Sequence, residues 1–464
     1  MTLKGFIGCA ALALYIISLS LGIGSCAQIG APTGGPRDST APRLIMVTPG
    51  QNSTNFTAKR IVFTFDEYIV LDNVQKNLLV SPYPKVSPMV DYKLKTITVK
   101  LRDTLQPNTT YSINFGDAIK DNNEANPYKN LTYVFSTGSS IDSLQLAGEV
   151  ILAETGKRDS TLIALLYKDT HDTTVRTRKP NYIARVDAAG KFNFTNLSEG
   201  RYKIYALKDN DGGKTYNYKT ELFAFYDSSI YISSNNAPVT LYAYAEEKDN
   251  RRAAPARVLP EKKLQYKTSL LNGQQGLINQ LSVTFNRPIK TMDEQKLWLM
   301  DTLQNRLPGS KLTIDSTQKI VTLQYPWKEE TDYRLVIDQA FITDTMGVQL
   351  AKSDTIKFKT KKISDYGSVL LRFSNLDVTL HPVLQFIKGD ELVKSVPLTN
   401  SLWSDKLVEP GEYDLRILYD SNQNGKWDPG NYNNRLQPER AITISTEKKL
   451  NVRANWDNER DIKL

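Results

Sequence analysis

Three short stretches decide the fold: Arg60-Ile61-Val62-Phe63-Thr64-Phe65, Thr96-Ile97-Thr98-Val99-Lys100-Leu101 and Tyr111-Ser112-Ile113-Asn114-Phe115. In each, every second side chain is apolar: Ile61, Phe63 and Phe65, then Ile97, Val99 and Leu101. A period of two places alternate residues on one face of a strand, so each stretch reads as a half-buried β-strand. Clusters of Gly, Pro, Asn and Asp separate such runs at short intervals, and no long segment has a 3.6-residue period. The chain therefore reads as all-β, built of β-sandwiches rather than helices.

Working outward, the pattern of residues 42–138 returns in residues 256–361. Ile61-Val62-Phe63-Thr64-Phe65-Asp66 is answered by Leu281-Ser282-Val283-Thr284-Phe285-Asn286. Thr96-Ile97-Thr98-Val99 is answered by Ile320-Val321-Thr322-Leu323. Each copy has an aspartate-rich loop (Asp117 and Asp121; Asp338 and Asp344) and closes on a strand ending Phe135-Ser136-Thr137 or Phe358-Lys359-Thr360. Before the loop comes a corner, Leu105-Gln106-Pro107-Asn108-Thr109-Thr110-Tyr111. The second copy keeps Thr331 and Tyr333 but has Glu329 where the first has Pro107. These motifs resemble the bacterial Ig-like domains first named from S-layer proteins. The resemblance implies Ig-like sandwiches over 43–138 and 261–361, with the corner tyrosine ring inside and its hydroxyl bonded to backbone.

The segments between and after the copies share another pattern. Residues 190–202 run Gly190-Lys191-Phe192-Asn193-Phe194-Thr195-Asn196-Leu197-Ser198-Glu199-Gly200-Arg201-Tyr202, and the ending recurs as Leu407-Val408-Glu409-Pro410-Gly411-Glu412-Tyr413. Gly190 and Gly200 suit tight turns at positive φ, while Phe192, Phe194 and Leu197 suit a core. This looks like the small sandwiches of the transthyretin-like and carboxypeptidase-regulatory group, over 143–246 and 364–464. The expected order is thus Ig-like, transthyretin-like, Ig-like, transthyretin-like, with a charged hinge at 247–260.

At the N-terminus, Lys4 precedes an uncharged, apolar stretch ending Ile23-Gly24-Ser25-Cys26. A short positive region followed by an apolar one is the form of a secretory signal, here residues 1–25. The last four residues resemble a lipobox, whose small residues admit the peptidase and whose cysteine accepts diacylglycerol. Residues 26–42, rich in Gly, Pro and small polar side chains, read as a flexible tether. Cleavage leaves 439 of 464 residues, with Cys26 the only cysteine because Cys9 leaves with the signal. No disulfide is then available to the exported body, so each sandwich must be held by its own core. The net charge of +9 is spread along the chain without a long basic helix, which argues against nucleic acid as a partner. The start of the mature chain resembles outer-membrane lipoproteins of the Bacteroidota.

One loop carries metal-type spacing. Asp420, Asn422 and Asn424, followed by Gly425 and Asp428, place oxygens at positions 1, 3, 5 and 9 of an EF-hand-like calcium loop. Position 12 is Asn431 rather than a bidentate glutamate, and no helix pattern flanks the loop. The other reading is a tight turn whose Asp, Asn and Gly residues bond their own backbone. A shorter relative, Asp209-Asn210-Asp211-Gly212-Gly213, follows the matching strand of the second segment. His171 and His381 lack metal spacing and read as surface or turn residues. No residue set reads as catalytic and no cofactor is implied. Aromatics crowd residues 205–244, where Tyr205, Tyr216, Tyr218, Phe223, Phe225, Tyr226, Tyr231, Tyr242 and Tyr244 suit either sugar stacking, a partner surface or a sandwich core. The sequence thus points to a non-enzymatic, membrane-tethered envelope protein that binds protein or polysaccharide. Two alternatives are an accessory lipoprotein of an outer-membrane assembly or secretion machine, and a carbohydrate-active enzyme with Ig-like accessories.

Overall fold

The computed structural model describes residues 38–168, 170–248, 263–444 and 449–464. The signal-like segment, Cys26 and most of the tether and hinge (residues 1–37 and 249–260) lie outside these. Within them the regular secondary structure is almost entirely strand. The α-helices, Val74–Asn77 and Thr174–Thr177, are single turns, and none is long and apolar enough to cross a membrane. The chain divides into two compact units, residues 1–79 with 84–140, and residues 80–83 with 141–464.

In the first unit, the strands Leu44–Thr48, Arg60–Phe65, Thr96–Lys100 and Met89–Lys93 lie in that order in one antiparallel sheet. Thr110–Asn114 pairs with Thr132–Ser136 in another. Alternation buries Ile61, Phe63, Phe65, Ile97 and Val99. The Phe63 ring stands edge-on to Phe115 and Tyr133, 5.4 and 5.5 Å between centroids, a favoured aromatic geometry.

The second unit contains three sandwiches. Over 266–360, Tyr266–Thr268, Leu281–Phe285, Ile320–Gln324 and Lys311–Ile314 repeat the strand order of the first sheet. They pack on a sheet ordered Gln274–Gln275, Asp354–Thr360, Asp332–Ile337, Leu297–Met300. The sandwiches over 144–243 and 367–463 share a different topology. Each has a three-stranded sheet whose middle strand pairs in parallel with a late strand: Leu144–Leu152 with Val239–Ala243, and Gly367–Ser374 with Asp457–Lys463. Each faces it with a sheet led by a long strand, Gly200–Leu207 or Gly411–Tyr419. Phe192, Phe194 and Leu197 lie in the core of the earlier one, and Tyr413, Leu415 and Ile417 in that of the later. Gly200 and Gly411 open the long strands at φ +149° and +154°, and Gly190 sits at +78°, so the turns demand glycine.

A buried tyrosine latches a turn in all four sandwiches. Tyr111 Oη accepts from the Gln106 N–H at 2.7 Å, and Tyr333 Oη from the Lys328 N–H at 3.4 Å, looser where the corner lacks proline. Tyr202 Oη donates to the Ser198 carbonyl (2.9 Å) and Tyr413 Oη to that of Glu409 (2.7 Å). The aspartate-rich loops carry a second recurring device. Asp121 accepts the N–H groups of Asn123, Glu124, Ala125 and Asn126. Asp344 accepts those of Met346 and Val348 and pairs with Arg287 at 2.9 Å. Burial alone would raise both carboxyls, but the surrounding donors outweigh it and hold them below the ordinary range.

Two outcomes follow. Phe194→Ala removes a ring that is 3% exposed and should destabilise its sandwich by about 3–5 kcal/mol; unchanged hydrogen-exchange protection of the 191–207 strands would refute the packing. For the aspartates, a depressed folded pKa means stability is present above the unfolded value and is lost as pH falls through it toward the folded value. The urea midpoint should therefore drop as pH falls below about 5, where an unfolded aspartate begins to take up its proton. The Asp121→Asn/Asp344→Asn variant should lose part of that drop. An equal drop in the variant would show that other groups carry it.

Candidate binding surface: a lock between two sandwiches

The crowded aromatics of residues 205–244 divide into two sets. Tyr205, Tyr216, Phe223, Phe225 and Tyr244 are each no more than 2% exposed, yet none belongs to the core of its own sandwich. On strands Gly200–Leu207 and Phe223–Phe225, alternate side chains face away from that core, so these rings form a second apolar face. Tyr218, Tyr226 and Tyr231 remain exposed, with Tyr242 half-buried.

What covers that face is Tyr432, from the loop following Asp428 in the last sandwich. Its ring lies edge-on to Phe223 and Phe225, 5.1 and 5.2 Å between centroids, and within 6.3 Å of Tyr205 and Tyr216. The ring is 4% exposed. Tyr205 Oη donates to Tyr432 Oη (3.0 Å), which donates to the Asp172 carbonyl (2.8 Å). Burial pushes both phenols above their ordinary range, so both keep the protons this chain requires. Glu246 Oε1 accepts from the Tyr432 N–H and from Tyr216 Oη, each at 3.1 Å. Arg176 and Arg435 lie over the cluster, both 5.6 Å from the Tyr432 centroid, where their charge meets the ring faces.

Polar contacts extend the lock. Arg435 donates to the Asp227 carbonyl and pairs with Asp172; Gln437 donates to the Phe225 carbonyl and to Asp227 Oδ1. Further along, the Ala441 N–H donates to the Ala153 carbonyl at 2.8 Å, Thr443 Oγ1 to that of Thr155, and Arg416 to that of Glu154. Gly156 sits at this seam at φ +68°. A Cβ there would lie 2.8 Å from both Ala441 O and Thr443 N, so the approach of the two backbones requires glycine.

The loop with calcium-type spacing leads into Tyr432. Asp420, 1% exposed, accepts the N–H groups of Asn424 and Gly425. Asn422 Oδ1 accepts from the Asn424 N–H, and Asn424 Oδ1 from the Lys426 N–H. Asp428 Oδ2 accepts from both asparagine amides. The four residues are thus brought together, each engaged by the loop itself. Glu439 ties the base, accepting from Ser421 and from the Asp428 N–H. The shorter relative is built alike: Asp209 accepts the Lys214 N–H and pairs with the Lys214 ammonium. Among the described residues no group of three or more His, Cys, Asp or Glu side chains is placed to hold a metal ion. His171 and His381 are exposed, and His381 ends a single 3₁₀ turn at φ +50°. Tyr432, Arg435 and Gln437 were invisible to periodicity because they lie in a loop. The available signal was an aromatic residue amid the polar run Asn431 to Arg435.

Residues 38–137 and 267–360 match the bacterial Ig-like domain; the chain is a β-sandwich protein carrying two such domains. No curated protein matches it. Among solved structures it is similar to native alpha-2-macroglobulin from Escherichia coli, spanning domains MG0-NIE-MG1 (15% identity, 40% of this chain and 72% of that one, TM-score 0.20). It is also similar to BcpA, the major pilin subunit of Bacillus cereus (12% identity, 69% and 99%, TM-score 0.17), and to the N-terminal part of the S-layer protein SbsC (17% identity, 36% and 40%, TM-score 0.16).

Tyr432→Ala should cost about 3–5 kcal/mol of docking free energy, the range for emptying an aromatic site. The sandwiches over 144–243 and 367–463 should then melt as separate calorimetric transitions, with cleavage in the 429–438 loop by added protease. A single unshifted transition would show that the ring does not hold them together.

Proposed function

We propose that this chain is a lipid-anchored, non-enzymatic cell-envelope protein, tethered at the outer membrane through Cys26, that acts as a scaffold or binding module for envelope protein or polysaccharide. The lock carries the reading. A β-sandwich chain tethered by a Gly- and Pro-rich leash has no need for its second and fourth sandwiches to be fixed together. Here an aromatic anchor, a buried tyrosine relay and several backbone contacts fix them. Such a joint converts two modules into one surface of set geometry, which serves recognition. The two segments that match the bacterial Ig-like domain support the envelope setting. The Ile23-Gly24-Ser25-Cys26 motif and the absence of any other cysteine after it support the tether.

Expression of the full chain and of Cys26→Ala, followed by fractionation and intact-mass measurement, tests this. The parent should appear in the membrane fraction with residues 1–25 removed and the mass of an acylated cysteine added, and Cys26→Ala in the soluble fraction without that mass. A membrane-bound Cys26→Ala protein, or a parent with unmodified Cys26, would remove the lipid anchor.

A further inference from the structure

A groove of about 1170 Å³ opens beside the lock. It exceeds the ~300–1,000 Å³ of ordinary small-molecule sites, which suits an elongated ligand. Both sandwiches line it. Lys157, Arg158, Tyr226 and Tyr242 come from one, and Tyr419 and Arg440 from the other. The Arg440 guanidinium lies 5.1 Å from the Tyr242 centroid, and Tyr226 is 39% exposed.

The charges are not balanced within the groove. Its two lining carboxylates are spent on protein donors: Asp227 on Gln437, and Glu439 on Ser421 and the Asp428 N–H. Arg158 is paired with Glu149 at 3.0 Å. Lys157 and Arg440 are exposed, and no carboxylate among the described residues pairs with either. The Arg440 guanidinium also donates to Tyr242 Oη at 3.5 Å, so the groove offers two cations with no carboxylate partner and the exposed face of Tyr226, and its complement is an anion with a flat apolar face.

A peptide added as a strand would need a free sheet edge. The strand bordering the groove, Arg440–Thr443, has none to offer. It pairs with Gly411–Tyr419 on one side and bonds the 153–155 turn on the other. A sugar ring needs no strand edge; it stacks on tyrosine and takes side-chain hydrogen bonds. We propose that this groove binds an acidic, uronate-bearing oligosaccharide, with carboxylates on Lys157 and on Arg440, whose guanidinium is seated on Tyr242, and a sugar face on Tyr226. This deepens the binding-module reading above and rests on it.

Titration calorimetry on the full lipidated chain in neutral detergent tests the assignment. The probes are oligogalacturonate, oligomannuronate and hyaluronan fragments, against neutral maltodextrin and poly-glutamate. At least one uronate should bind, more weakly as salt rises. Lys157→Gln/Arg440→Gln should lower affinity about tenfold, the loss of two charge contacts of about 0.7 kcal/mol each. Tyr226→Ala should also weaken binding. Lys290→Gln/Lys311→Gln, an equal charge change on the 266–360 sandwich, should leave it unchanged. The proposal is overturned if no uronate binds, if the control pair loses as much as the groove pair, or if maltodextrin or poly-glutamate binds as tightly. Release of new reducing ends from a bound uronate would defeat the non-enzymatic reading while leaving the groove assignment intact. Absence of binding, with the lipid anchor and lock verified, would do the reverse.

Discussion

The seating of Tyr432 among Tyr205, Tyr216, Phe223 and Phe225 is the interaction on which the second unit's arrangement depends. Tyr205, Phe223 and Phe225 project from the outer face of a sheet whose inner face already has a complete core, and Tyr216 stacks on Phe223 from the preceding loop. Left uncovered they would form an apolar patch of the kind soluble surfaces avoid. A single ring from a neighbouring loop covers them, and its hydroxyl needs a partner because it is buried. The Tyr205–Tyr432–Asp172 relay supplies it. The loop from Asp420 to Glu439, bonded to itself and to the base of its own strands, holds the ring in position before docking. Less of its freedom is then lost when the two sandwiches meet.

Much of the fold was legible because its determinants are local. Period-two alternation at Ile61, Phe63 and Phe65 needs no knowledge of the partner sheet. The pairing of an apolar alternation with a corner tyrosine recurs in both Ig-like copies, and the family match covers 267–360 although Glu329 stands where proline was expected. The latch explains why. Tyr333 still reaches a backbone N–H five residues back, only less closely than Tyr111 does. Proline stiffens the corner; the buried hydroxyl defines it. Phe192, Phe194 and Tyr413 likewise fell on the core side because their neighbours alternate with them.

The lock was not legible, and the reason is physical. An aromatic side chain on a strand is compatible with three environments: its own core, solvent or a partner surface. Periodicity assigns it a face but not what covers that face. Tyr205 and Phe223 were therefore open between sugar stacking, a partner surface and a core, and the structure seats them at an interface within the chain. Tyr432 carries no periodicity at all. The Asp420 loop shows the same ambiguity. A run of Asp, Asn and Gly is the chemistry of oxygen ligands and also of self-bonded turns, and the spacing is shared by both. In the structure each of the four side chains accepts from within the loop, which gives the loop a positioning role in the lock.

The lock joins sandwiches that are not neighbours in sequence. Tyr205 and Tyr432 are 227 residues apart, with a whole Ig-like domain between them. Closing a flexible loop of that length would cost about 5 kcal/mol by the logarithmic rule, plus a constant. A folded domain within the loop shortens its flexible part and lowers this figure. Against it stand one fully buried tyrosine, at about 3–5 kcal/mol, and several backbone and side-chain hydrogen bonds at about 1 kcal/mol each. The aromatic anchor alone would only balance the closure, so the margin that keeps the lock shut comes from the contacts around Gly156, Arg435 and Gln437. Folding should then proceed with each sandwich forming on its own core and docking last. The groove between the second and fourth sandwiches exists only in the docked state, so a ligand bridging Lys157 and Arg440 would strengthen the lock by the same free energy with which the lock strengthens its binding.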